Sequence, residues 1–246
     1  MFYEVLMEKR AKKEEKKRSS TKAEVAKMVA AGAAAPKLLN HGAERVLGVQ
    51  RFTHGTSDAA ANKILNEGLI ARHGGAAHGS SAKMPGSAGQ HFVNNSKGRV
   101  HVFKDTPLHR RFAAAHANLA EAGDVEGAAA YNKGFFGFGR KGKRIYGAMP
   151  YDRIANDFEL DPDYGDLAFR SKLNATGDID AKHLSKSRFG LRGIFKNRTS
   201  DIKGYAKKNK GRFARGVGLL GASGLAAAYA GSKAKGLYDR YREKKN

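Results

Sequence analysis

A chain of 246 residues suffices for one medium domain with extensions or for two small ones, and 46 Lys and Arg against 23 Asp and Glu leave a formal charge of +23. That excess draws the chain toward phosphate polymers, anionic lipid heads or acidic protein surfaces. The absence of cysteine excludes disulfides, thiolate metal sites and a cysteine nucleophile, and it suits a reducing compartment.

The chain opens with "MFYEVLMEKRAKKEEKKR", a few apolar residues followed by dense charge, which is the reverse of the order in an export signal. The spacing predicts helical arms over residues 1–47. Glu8 to Arg18 mixes signs as a solvated helix face does. Thr21 to Glu24 fits a capping box opening a second helix, with Val25, Met28 and Val29 on one side and a break at Pro36. Its apolar side is too narrow to form a core of its own.

A compact domain is expected over residues 48–185. "VLGVQRFTHGT" contains a strand, and "SDAAANKILNEGLI" is a helix with Ala60, Ile64 and Leu65 inward, capped by Ser57 or Asp58 and closed by Gly68. Ala71 to Gln90 is a long loop rich in glycine and serine. "HFVNN" and "RVHVFKD" read as short strands. Thr106 caps a helix with Pro107 in its first turn. "GFFGFGRKGK" reads as a basic loop, followed by a strand near Arg144 to Met149, a strand candidate at Asp166–Lys172, and a turn with a short helix at "IDAKHL".

Residues 186–246 read as a basic tail. Phe189, Ile194, Phe195, Tyr205 and Phe213 are interleaved with Lys and Arg, a composition suited to nucleic acid or another anionic surface. Gly216 to Ser232 carries no charge. As a helix it would extend about 25 Å, short of a hydrocarbon core of about 30 Å. Its Gly and Ala residues favour close packing on another helix, such as that of another subunit in an assembly, ahead of a marginal membrane contact through 216–232.

"FTHGTSDAAANKILNEGLI" resembles the opening motif of the ADP-ribosyltransferase superfamily, a strand with an aromatic residue and His-Gly-Thr before a helix that ends in "GL". "GQHFVNNSKGRVHVFKDTPLHRRFAAAHA" resembles that family's second block, and "RIYGAMPYDRIANDFEL" with "DLAFRSKLNATGDIDAKHL" looks like its closing strands. The likeness covers Arg51 to Leu184, and its first block is the specific part. It implies an α+β fold, a small split-sheet domain between the helical N-terminal arm and the basic helical C-terminal tail, and NAD as cofactor. His54 would contact the ribose, Gly55 would admit the nicotinamide amide to the backbone, and Thr56 would bond within the turn or to ribose. His91, Phe92 or Ser96 would fill the second-block position.

The transfer passes through an oxocarbenium-like state, so a carboxylate facing the developing charge matters most. The family places a glutamate at the start of a late strand. Here the position before "LAFRS" holds Asp166, and Glu159 lies earlier, so the residue type favours Glu159 and the position favours Asp166. The nine histidines do not show metal-ligand spacing; His109 and His116 share a helix face, but two ligands do not make a site. Gly134, Gly137 and Gly139 do not have dinucleotide-fingerprint spacing.

Two functions are therefore expected. One is ADP-ribosyl transfer from NAD to protein or nucleic acid, or removal of an RNA 2′-phosphate by a related enzyme of the same fold. The other is a catalytically inactive structural or ejected component whose basic arms and Gly/Ala-rich helix pack in an assembly or contact membrane or DNA. The basic, cysteine-free composition suits a protein of the cytoplasm or of a virion interior, including one packaged and ejected by a bacteriophage.

Overall fold

The structure is a computed structural model, and it describes residues 2–71, 98–122, 127–138, 142–160, 172–175 and 177–243. The chain divides into two compact units: Glu44–Phe213, and Met1–Ala43 together with Ala214–Asn246. The architecture is α+β.

The larger unit is built on an antiparallel sheet of six strands: β1 (Val49–Thr56), β2 (Val100–Lys104), β3 (Lys143–Pro150), β4 (Phe158–Leu160), β5 (Lys172–Ala175) and β6 (Leu184–Ser185). Their order is β4-β5-β2-β1-β3-β6. Strand β1 is central because it is the most completely buried; Val49, Phe52 and Thr53 are each 0 % exposed. It pairs with β3 along its whole length, from Val49↔Pro150 to Thr56↔Lys143. Phe52 lies opposite Gly147, and a side chain at Gly147 would collide with the Phe52 ring. Phe52, Val102, Ile145, Met149 and Phe158 form the core on one side of the sheet, with Ile64 and Leu65 packed against it.

Those two residues belong to helix α2 (Asp58–Glu67), which Ser57 caps by accepting a hydrogen bond from the amide of Ala60. Ala61 is the residue this helix buries deeply, rather than the expected Ala60. Gly68 ends it at φ 99°, a conformation that a side chain would strain. Helix α3 (Pro107–Glu121) starts at the Thr106 cap as expected, and covers the other side of the sheet with its alanines.

Helix α4 (Gly127–Phe136) corrects the expected glycine-aromatic loop, since Gly134 to Phe136 are helical. Gly134 is the contact point with α3: a Cβ there would lie 2.6 Å from the Ala114 carbonyl oxygen. Tyr131 and Phe135 then meet His116 and Phe112 of α3, with ring centroids 5.5 Å and 5.0 Å apart. Helix α5 (Tyr151–Asp157) leads from β3 into β4. The expected strand at His91–Asn95 lies outside the described residues, as do residues 166–171 of the other candidate; β5 begins at Lys172.

Residues 186–213 belong to the larger unit and are not a tail. They form α6 (Leu191–Lys196), α7 (Ile202–Lys208) and the start of α8 (Lys210–Glu243). Ile194 and Tyr205 are buried, the Tyr205 hydroxyl donates to the Arg45 carbonyl, and the Thr199 hydroxyl donates to the Gly48 carbonyl. The apolar residues that suggested stacking on nucleic acid include these core contacts; Phe195 remains exposed.

In the smaller unit, α1 (Phe2–Val46) is one helix that runs through Pro36 rather than breaking there. The ring removes one backbone donor and crowds the preceding turn. Contacts with α8 flank the proline on both sides. Gly42 of α1 sits against Leu220 and the Gly216 carbonyl, Gly32 faces Ala230, and Glu24 pairs with Lys233. The two helices are thus antiparallel, and the uncharged run 216–232 packs against the alanine-rich stretch of α1 in the same chain. Among the described residues, no helix is long and apolar enough to cross a membrane.

Candidate functional site

The end of β1 that carries His54, Gly55 and Thr56 is where β1 and β2 part. Pairing between them is recorded at Phe52↔Lys104 and Thr53↔Phe103, whereas pairing with β3 continues to Thr56. Beyond Thr53 a side chain spans the gap: His54 Nδ1 lies 2.8 Å from the His101 carbonyl oxygen. A carbonyl only accepts, so Nδ1 carries the proton and Nε2 of the neutral ring is an acceptor. Among the described residues Nε2 has no partner. Burial pushes the His54 pKa below 6.5, and the bond to the His101 carbonyl opposes this in part. His54 is therefore a neutral imidazole of fixed tautomer, half-buried at the mouth of the strand gap.

Gly55 is required for a different reason from the one expected. A Cβ there would lie 2.8 Å from the Ala117 amide nitrogen and 2.9 Å from the Ala113 carbonyl carbon. Its φ is not positive. The missing side chain makes room for helix α3, not for a ligand on that face. The peptide edge of Gly55 that faces β2 lies beyond the recorded ladder. Thr56 is buried.

Glu159 lies in β4, with its backbone opposite Asn174, which in turn lies opposite His101. Three strand spacings separate β4 from β1, about 14 Å in a flat sheet. The sheet is not flat, because the ring of Phe158 lies 6.4 Å from that of Phe52. The residue before Glu159 thus touches the residue two before His54. Asp166, His91, Phe92 and Ser96 lie outside the described residues.

A second constellation escaped the sequence reading. Arg51 is 2 % exposed in the middle of β1. Its Nε donates to Glu44 Oε2 at 3.0 Å, its Nη2 lies 3.0 Å from the same oxygen, and its backbone amide donates to Glu44 Oε1 at 3.0 Å. Its Nη1 donates to the Phe189 carbonyl and lies 3.9 Å from Asp105 Oδ2. Asp105 also accepts from Arg110 Nη1 at 2.9 Å and from Arg188 Nε at 2.6 Å. Arg212 lies 4.0 Å from Glu44, donates to the Val49 carbonyl and stacks on Tyr151. Burial, then the charge of Arg212, lowers the Lys104 pKa. Burial, then Lys104, lowers that of His109. The available signal was an arginine inside an otherwise apolar strand, which needs an acid close by.

Comparison with protein-family models, with curated proteins and with solved structures finds no match.

Proposed function

We propose that the Glu44–Phe213 unit transfers ADP-ribose from NAD to protein or nucleic acid, with its site at the parting of β1 and β2. The observation that carries this reading is the fixed His54 imidazole. Its Nδ1 proton is committed to the His101 carbonyl, so Nε2 is left to accept from a ribose hydroxyl. The likeness of Arg51 to Ile70 to the ADP-ribosyltransferase opening motif supplies the cofactor class. The edge of His54-Gly55-Thr56 on the β2 side would hold the nicotinamide amide through backbone groups. A carboxylate, Glu159 or Asp166, would face the developing oxocarbenium charge.

The test is transfer of label from labelled NAD by the full chain, with protein and RNA acceptors, in wild type and in His54→Ala, Glu159→Gln and Asp166→Asn. Loss of one transition-state contact of this kind lowers the rate roughly a hundredfold, about 3 kcal/mol. Absence of label and of NAD hydrolysis in every lane overturns the reading.

A second reading is favoured by a separate observation. The paired helices α1 and α8 leave Val29 and Leu225 exposed, Leu225 at 75 %. An inert component of a larger particle, such as a virion, would cover them with a neighbouring subunit. Sedimentation of the full chain as a stable oligomer, together with failure of the NAD assay, would select this reading.

A further inference from the structure

We propose that Arg110 and Arg188, tied to the two oxygens of Asp105, form a binding site for a phosphate oxyanion. Asp105 is buried, with a side chain 2 % exposed, while the side chains of Arg110 and Arg188 are 22 % and 34 % exposed. The carboxylate therefore lies beneath and the two guanidiniums lie above it, toward solvent. Each guanidinium has five N–H donors, and each gives one to Asp105. Among the described residues, neither has another carboxylate partner. The remaining donors of two guanidiniums held by one carboxylate suit the oxygens of a phosphate, which arginine binds in bidentate fashion.

The surrounding charge points the same way. Asp105 is shared with Arg51, whose closer partner is Glu44. Arg212 is also drawn to Glu44, at 4.0 Å. Among the described residues, four arginines are thus tied to two carboxylates. The site is independent of the NAD reading. Arg51 and His54 lie on opposite faces of β1 by strand alternation, and the arginines that bind the ligand come from α3 and the segment after β6.

The experiment uses the full chain. Orthophosphate binding is measured by calorimetry, and thermal unfolding is followed in phosphate and in chloride at equal ionic strength. Phosphate should raise the midpoint where chloride does not. Arg110→Gln with Arg188→Gln should weaken orthophosphate binding at least tenfold. Asp105→Asn gives the opposite sign. It removes the competing negative charge, so the variant should bind phosphate more tightly and depend on it more for stability, whereas a purely structural network would only be weakened. Equal effects of phosphate and chloride on wild type, or unchanged binding in the double-Gln variant, would overturn the proposal. A single-stranded thymidine oligonucleotide separates the sources. If it displaces orthophosphate and loses affinity in the double-Gln variant, the phosphate belongs to a polynucleotide. If the variant loses orthophosphate alone, the ligand is a small phosphate compound.

Discussion

Glu44 holds Arg51 twice over, through the guanidinium and through the backbone amide of the same residue, each at 3.0 Å. One carboxylate thereby fixes both the side chain and the main chain of the central strand at its entry. Both partners are nearly inaccessible, so the cost of losing one is the cost of leaving the other charged in a low-dielectric interior. Glu44→Gln is expected to lower unfolding free energy by about 3–5 kcal/mol, read from urea unfolding of the full chain. A loss below about 1 kcal/mol, typical of an exposed pair, would contradict this assignment.

Stability should fall in mild acid. His54, His109 and His183 all have pKa values lowered from 6.5, with burial as the first cause. The unfolded chain then takes up protons near pH 6.5 that the folded chain still refuses, so stability is complete above that pH. It declines as pH drops through 6.5 toward the lower folded values. Urea midpoints from pH 7.5 to 5 should show this slope, and His54→Gln should make it shallower. A slope of opposite sign would refute the burial of these rings.

Gly55→Ala should be costly because the atoms it meets are helix backbone, which cannot swing aside. A loss of about 1–3 kcal/mol is expected, as for overpacking generally. The same variant separates the two roles of this glycine, since a ligand-only role would change NAD binding and leave the thermal midpoint untouched.

Thr53 offers a gain. Its hydroxyl oxygen is buried and, among the described residues, has no hydrogen-bond partner. Thr53→Val keeps the shape and removes the unsatisfied group, so it should be neutral or stabilise by up to about 1 kcal/mol, measured in the same denaturation series.

Ile194 tests the extent of the larger unit. It is 0 % exposed in α6, within the segment that reads from sequence as a tail. Ile194→Ala should cost about 2–5 kcal/mol, the range for truncating a core aliphatic residue. A tail residue would cost almost nothing.

The parts legible in the sequence were those written in local pattern. The Ser57 and Thr106 caps, the alternation of Val100 and Val102, and the run from Arg144 to Met149 each carry their information within a few residues, and α2, α3, β2 and β3 lie there. What escaped depends on contacts between distant segments. The basic composition of residues 186–213 gave no hint that Tyr205 would reach the Arg45 carbonyl, because burial of an aromatic ring is decided by its partner. Pro36 reads as a helix stop unless the helix lying against it is known. At the candidate site, the His-Gly-Thr motif was visible, but the reason for the glycine was not. It depends on α3, whose contact with β1 no local pattern encodes. Nor did the sequence choose between Glu159 and Asp166, since only strand order and sheet curvature bear on which carboxylate approaches β1.

The antiparallel pairing of α1 with α8 has a consequence for the order of folding. A ribosome makes α1 before α8, so the seam of α1 lacks its mate while everything between is being synthesised. Zipping two such distant segments from a fully extended chain would require closing a very long loop, an entropic barrier that slows assembly. Folding of the larger unit lowers that barrier, because it holds Glu44 and Arg212 4.0 Å apart. The helix pair should therefore form second, templated by the finished sheet, and any variant that delays the sheet would prolong the time for which α1 displays its bare alanine face to other chains.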